Sequence, residues 1–455
     1  MAFDDIAMPE PNPFVPTDLV LLEQENSTAD EGSIPELFAE ASGLRFWFKS
    51  DSEFRTPKAD VFFSMLTRKP AESPRDEVLA SLYVRAVVDA LNEFIYPAQL
   101  AGMNFSFYRH LRGFSLKVSG YDDSVLPLLE RVVPQLKAVA IEPARFDNIV
   151  AEYQRRLQVE KSATPFRRLM TVLGESLYPG QHNEDALLDA LAAVTLDDLQ
   201  QFVADLGDTV AVEALAHGNI DWGDASAIHR LLLQIPRCDC ELEGRKHVDV
   251  RRLAAGTTQR IAEVDHADAS INWYFQLADD SLRSEALVRL TVDIIHPLYF
   301  NDLRTERQLG YVVNAGFFPA HRWPGMLLLV QSPQASSEEL VAITREFLDG
   351  VLQNGVEQEI FTRHRDALVV KLTERDQKLA ERSQRYWGDL AVRATSFDRN
   401  AALAAELQQL EIDDWRAFVA RLFDKNSASL LLTTAPGGGA GFAMWSDQIE
   451  RVSYY

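Results

Sequence analysis

Leu44, Phe46 and Phe48 alternate with Arg45, Trp47 and Lys49, a period-two pattern that predicts a strand with one buried face, and Val61-Phe62-Phe63 supplies a second candidate. Together they predict a hairpin or meander. Ser73-Pro74-Arg75-Asp76-Glu77 follows, with an N-cap, a proline at the first helical position and acids in the first turn, and Val78, Leu82, Ala86 and Leu91 continue at helical spacing. One long helix fits. Phe114, Leu116 and Val118 alternate with Ser115, Lys117 and Ser119, a return to strand; helical patterns then fill most of residues 122 to 208, and Val212 to Ala216 closes the unit as a strand.

The same order recurs in the second half. Gln99-Leu100 matches Gln308-Leu309, Phe146 at the head of a charged helix matches Phe361, and Asp197-Asp198 before a helix matches Asp413-Asp414, at offsets of 209, 215 and 216 residues. Nearly constant offsets are what a duplication with small insertions leaves. The strand-like Leu430-Leu431-Leu432 falls where Val212 to Ala216 predicts it, after a helix holding Trp415, Phe418 and Leu422. The fold class read from this pattern is α+β, two homologous domains, each a mostly antiparallel sheet flanked by helices. The expected boundaries are an extended leader over 1–20, a first domain over 21–235, a polar linker over 236–255 and a second domain over 256–455. Pro9, Pro11, Pro13 and Pro16 make the leader incompatible with helix and suggest the exit from something upstream, and Gly437-Gly438-Gly439 suggests a flexible end.

The chain has 455 residues, 47% of them apolar and 25% charged, the balance of a globular protein that can bury a full core. Its 45 Lys+Arg against 68 Asp+Glu leave a formal charge of −23, so a phosphate-rich surface is repelled and nucleic acid is excluded as a ligand. The first residues carry two acids where a secretory signal needs basic residues and an apolar run, and no stretch is long and apolar enough to span a bilayer. A soluble protein without a membrane role is expected, with cytoplasm and periplasm both open. Cys238 and Cys240 are separated by one residue, a spacing that argues against a comfortable disulfide and does not complete a zinc site.

Zinc peptidase chemistry needs two histidines on one helical face with a glutamate between them to activate water. The nine histidines, His110, His182, His217, His229, His247, His266, His296, His321 and His364, come no closer than twelve residues, so neither H-E-x-x-H nor H-x-x-E-H occurs and no metal site is expected. Walker, dinucleotide and G-x-S-x-G signatures are absent too. His217-Gly218-Asn219 reads as a strand-ending turn, and Tyr386-Trp387-Gly388-Asp389 as core packing rather than a recognition patch. The informative segment runs from Pro297 to Gly316. It predicts a helix end, a left-handed cap at Gly310 and an apolar strand from Tyr311, with Arg304 and Tyr311 on either side of the junction. A guanidinium and a phenol brought together there could clamp a carbonyl or a tetrahedral oxyanion; the alternative is a surface arginine and a half-buried tyrosine with no shared task.

Leu303-Arg-Thr-Glu-Arg-Gln-Leu-Gly-Tyr-Val313 closely resembles the L-R-T-x-x-Q-L-G-Y segment of the insulysin/pitrilysin (M16, insulinase) family of zinc metallopeptidases. The likeness continues, in the family's order, through Pro11 to Pro16, Phe48-Lys49, Pro57-Lys58-Ala59, Leu91-Asn92-Glu93, His217-Gly218-Asn219 and Tyr386-Trp387-Gly388. It implies four homologous domains in two halves that close on an unfolded peptide, with this chain supplying domains three and four. It also implies that zinc and its H-x-x-E-H helix belong to a zinc-bearing N-terminal half or partner subunit, leaving this chain inactive alone. Arg304 and Tyr311 match the arginine and tyrosine that reach the substrate beside the scissile bond, so the resemblance gives them catalytic and substrate-binding roles. The expected function is the non-zinc half of a metalloendopeptidase, part of a peptide-enclosing chamber; the alternatives are an inactive structural subunit and a stand-alone peptide-binding module.

Overall fold

A computed structural model describes residues 11–22, 34–137, 141–242 and 248–436. In chain order the elements are β1 (Glu36–Ala41), β2 (Leu44–Ser50), β3 (Lys58–Leu66), α1 (Pro74–Leu100), β4 (Asn104–His110), β5 (Gly113–Tyr121), α2 (Asp122–Gln135), α3 (Pro143–Lys161), α4 (Pro165–Leu177), α5 (Glu184–Leu191), α6 (Leu196–Leu206), β6 (Ala211–Gly218) and α7 (Trp222–Leu232). There follow β7 (Thr257–Val264), β8 (Ala269–Gln276), α8 (Leu282–Phe300), a π-helical turn (Asn301–Glu306), β9 (Val312–Phe317), β10 (Gly325–Ser332), α9 (Ser337–Asn354), α10 (Gln358–Thr373), α11 (Leu379–Ala391), α12 (Arg399–Gln408), α13 (Ile412–Leu422) and β11 (Ser429–Pro436).

The α+β architecture and the duplication are both visible in the sheets. The first runs β1-β2-β6-β3-β5-β4 and the second β7-β11-β8-β10-β9. Without β1, the first order maps onto the second strand for strand, including one parallel pair in each, β2 with β6 and β7 with β11, among otherwise antiparallel neighbours. One of the landmarks that reveal the repeat in sequence, the paired aspartates, does the same physical work twice. Asp198 closes a capping box with Thr195 at the start of α6, and Asp414 closes one with Glu411 at the start of α13. Each aspartate also meets an arginine in the first turn of its unit's long helix, Arg75 at 2.7 Å and Arg283 at 2.9 Å.

Each sheet is covered on both faces. In the first unit Tyr83 of α1 packs edge-on against Phe107 and Phe114, while Trp47, Phe62 and Leu215 on the opposite face meet Tyr386, Leu390 and Phe397. In the second, Ile271, Trp273 and Phe275 share a core with α8, and Tyr274, Leu327 and Leu329 on the other face share one with Leu169, Val172, Leu173 and Leu177 of α4. The two sheets lie on either side of residues 236–255, but their covering helices do not follow that division: residues 154–188, which include α4, cluster with the second sheet, and Asp376–Phe397, which includes α11, with the first. An amphipathic stripe such as that of α4 specifies a buried face without specifying which sheet buries it.

Two expectations are corrected here. Cys238 and Cys240 are joined as a disulfide. The chain bends at Asp239 and Cys240, which brings the two Cα atoms to 5.3 Å, inside the range a disulfide spans; Cys238 N–H to the Val210 carbonyl (2.8 Å) and Gly43 N–H to the Cys240 carbonyl (2.9 Å) hold the segment in place. His217-Gly218-Asn219 does more than turn. Gly218, at φ 142°, sits where a Cβ would strike the Lys58 carbonyl, and Asn219 donates to the Val20 carbonyl (3.0 Å) and to Asp122 (2.6 Å) while accepting from Leu22 N–H (2.9 Å). The leader is thereby stapled, a fixing completed by Phe14, 3% exposed, and by Asp123 accepting from the N–H groups of Thr17 and Asp18. Gly437 to Gly439 lie outside the described residues.

Candidate functional site

The site grows from the end of α8. Tyr299 and Leu303 are fully buried, which anchors the helix end in the core and turns the intervening residues outward. After Phe300 the helix widens into the π-helical turn, where Arg307 N–H reaches back five residues to the Asp302 carbonyl at 2.9 Å. Such turns are uncommon, and they concentrate at functional sites because they re-aim a side chain. Arg304 lies within this turn and is exposed.

Gly310 was expected to take the left-handed cap. The left-handed residue is Gln308, at φ 53°, and Gly310 is needed for a different reason: a Cβ there would stand 2.2 Å from the Gln331 carbonyl of β10. Leu309, buried and bonded from its N–H to the Leu303 carbonyl at 3.0 Å, forces the tight reversal that Gln308 has to make. The strand then begins at Val312, one residue later than the apolar pattern suggests, because Tyr311 is still outside the ladder.

This reversal brings Arg304 and Tyr311 together. The guanidinium carbon lies 4.8 Å from the ring centroid of Phe300 and 5.9 Å from that of Tyr311, so the cation sits beside two aromatic rings. Tyr311 is 87% exposed, not half-buried. Arg304 is exposed as well, and among the described residues it has no carboxylate partner. Its neighbour Arg307 differs: it donates hydrogen bonds to Glu346 (3.0 Å) and Asp302 (2.9 Å), which raise its pKa further, and it braces the turn. One arginine is committed to structure, and the other presents its donors to solvent beside a free phenol. Phe300 belongs to this group although sequence reasoning passed over it; its place one helical turn before Arg304 was the available signal.

A zinc ion does not fit these residues. The adjoining imidazole, His296, has its Nδ1 3.0 Å from the Ala315 carbonyl, and no group of three or more His, Cys, Asp or Glu among the described residues could hold a metal. The Tyr386 segment is core, as expected: Tyr386 is 2% exposed and Trp387 stacks on Phe62 with centroids 5.5 Å apart. No helix among the described residues is long and apolar enough to cross a membrane.

Known proteins agree with this architecture. Residues 2–190 match the model for the middle or third domain of peptidase M16, and residues 290–387 match the model for the C-terminal lobe domain 4 of PqqF-like PQQ synthase. Insulin-degrading enzyme of Homo sapiens is 28% identical over 418 residues, covering 90% of this chain and 40% of that protein; a nardilysin-like protein of Arabidopsis thaliana is 24% identical over 437 residues, covering 93% and 42%. The chain therefore spans less than half the length of these relatives. Among solved structures, pitrilysin superposes with a TM-score of 0.83 at 20% identity over 99% of this chain and 47% of its own. A peptidase M16 inactive domain from Pseudomonas fluorescens superposes with a TM-score of 0.71 at 15% identity, over 89% and 98%. With a third-domain match in its first half, a fourth-domain match in its second and this fold throughout, the chain belongs to the M16 peptidase family and corresponds to its C-terminal half.

Proposed function

We propose that this chain is the half of an insulysin/pitrilysin-like metalloendopeptidase that carries no zinc, working with a zinc-bearing N-terminal half or partner subunit. In this reading it forms part of the wall that encloses a peptide and supplies Arg304 and Tyr311 to the bond being cleaved. The observation that carries the reading is a guanidinium with no carboxylate partner among the described residues, beside an exposed phenol on a braced turn. Both groups donate hydrogen bonds to an oxygen, and such bonds strengthen as that oxygen gains negative charge in the tetrahedral transition state. Because the turn is fixed by Leu303, Leu309 and Arg307, little ordering is left for the moment of reaction.

The experiment mixes the chain with a zinc-bearing half and follows a quenched fluorescent peptide. Arg304→Ala is expected to lower kcat about 100-fold, and Tyr311→Phe about 10-fold or more, with the chain alone silent. Cleavage indifferent to both substitutions would remove the catalytic role. A partner fully active by itself would instead favour a structural subunit, and tight peptide binding by the lone chain with no effect on cleavage would favour a binding module.

A further inference from the structure

The second sheet ends at β9, and hydrogen-bond parity shows which of its backbone groups face outward. Leu277 N–H donates to the Pro324 carbonyl at 3.0 Å, so Pro324 and every second residue after it in β10 turn toward β8. Phe318 N–H donates to the Gly325 carbonyl at 2.9 Å, so Gly325, Leu327, Leu329 and Gln331 turn toward β9. Their partners Gly316, Asn314 and Val312 are spent on that ladder, and the N–H and C=O groups of Val313, Ala315 and Phe317 point away from the sheet. A separate contact agrees: the Ala315 carbonyl lies 3.0 Å from Nδ1 of His296, which reaches it from α8. Val313 and Phe317, on either side, have no backbone hydrogen-bond partner for their outward groups among the described residues.

An edge with unspent donors and acceptors is a template for another strand. β9 pairs with β10 without a register shift, so its edge is regular, unlike β1 of the first sheet, which is broken between Leu37 and Ala39; β4, the counterpart of β9 in the first sheet, is regular too but does not adjoin the Arg304–Tyr311 pair in the chain. The side chains of Val313 and Ala315 are buried in the core, which keeps the strand straight and its edge groups in place. The strand also opens directly from Tyr311, so a chain lying along it passes the Tyr311 ring and the Arg304 guanidinium.

We propose that β9 binds an extended peptide as an added strand, with Val313 and Phe317 supplying the rungs and His296 keeping the Ala315 carbonyl. This deepens the reading of Arg304 and Tyr311 as peptide-contacting residues and rests on it: the edge sets the register of the peptide and the pair meets one of its carbonyls. Recognition is through backbone, so it is tolerant of sequence, and the exposed Asn314 and the side-chain-free Gly316 leave room on the outer face for large side chains.

The test uses the full chain without a zinc-bearing half and a fluorescein-labelled Val/Thr-rich decapeptide, together with analogues N-methylated at alternate amides. Methylation in one alternate set is expected to weaken binding at least tenfold and in the other set to leave it unchanged, since only every second amide faces the edge. A benzophenone version of the peptide is expected to label the segment from Tyr311 to Phe317. Absence of binding, equal effects from both methylation sets, or labelling confined to another strand would overturn the proposal. These readouts are independent of cleavage, so a failed edge alongside intact effects of Arg304→Ala on catalysis would leave the proposed function standing.

Discussion

His217 Nδ1 lies 2.8 Å from Ser383 Oγ, and because the serine proton goes to the Leu379 carbonyl at 2.9 Å, the ring is the donor. The imidazole is 1% exposed, with Lys49 and Asp60 as its cross-strand neighbours, Tyr386 against its face and Arg382, Arg385 and Asp376 in the surrounding field. Burial, followed by the charge of Lys49, Arg382 and Arg385, lowers its pKa to about 3. His110 is lowered to about 3 as well, by burial and then by Arg112 and Arg109, and its Nδ1 accepts from Arg112 N–H, which requires a neutral ring.

Both rings therefore make the fold acid-sensitive. The unfolded chain takes up a proton on each as pH falls through about 6.5, while the native state refuses it until about 3. The stability they contribute is complete above the unfolded value and is lost downward across that window, at up to about 1.4 kcal/mol per pH unit for each ring. Urea unfolding at pH 7.5, 6, 5 and 4 should show the decline, and His217→Gln should flatten it while lowering stability at neutral pH. An unchanged slope in that variant would clear His217 of the effect.

Gly310→Ala is expected to cost more than 2 kcal/mol and to lower cleavage in the mixed enzyme. A methyl group 2.2 Å from the Gln331 carbonyl must push β9 from β10 at the residue that sets Tyr311. Thermal melts read the first effect and peptide turnover the second.

Asn219→Ala should free the leader. The variant loses the bonds to Val20, Leu22 and Asp122, at about 1–3 kcal/mol, and limited proteolysis should cut among residues 11–22 well before the wild type is nicked. Equal cutting rates would mean that Phe14 and Asp123 suffice.

Gln308→Gly should stabilise by about 0.5–1 kcal/mol. The native φ of 53° strains a glutamine and suits glycine, a gain only partly offset by the looser unfolded chain. Denaturant midpoints decide the sign.

Much of this molecule is legible in its residues. Alternation at Leu44 to Phe48, the cap at Ser73 and the paired aspartates at 198 and 414 encode local hydrogen bonds, and those bonds form where the pattern puts them: Ser73 Oγ accepts from Asp76 N–H at 3.1 Å, and both aspartates close capping boxes. The sequence pattern singles out no strand at β1, β4, β7, β8 or β10, and two of these, β1 and β4, are the edges of the first sheet. β1 and β4 are half-exposed, so the contrast between faces that marks a buried strand is weak in them. At the site, Arg304 and Tyr311 stand out in a distinctive run of residues, but the run does not reveal that Gln308 rather than Gly310 bends backward.

Local order, element type and the repeat follow from periodicity and capping, which act over a few residues. Which sheet α4 or α11 covers, how Asn219 reaches a leader about 200 residues away and whether Gly310 is needed for its φ or for its neighbour's carbonyl depend on contacts between distant segments. An apolar stripe or an amide advertises a need for a partner without naming it, and close packing in three dimensions chooses among the candidates.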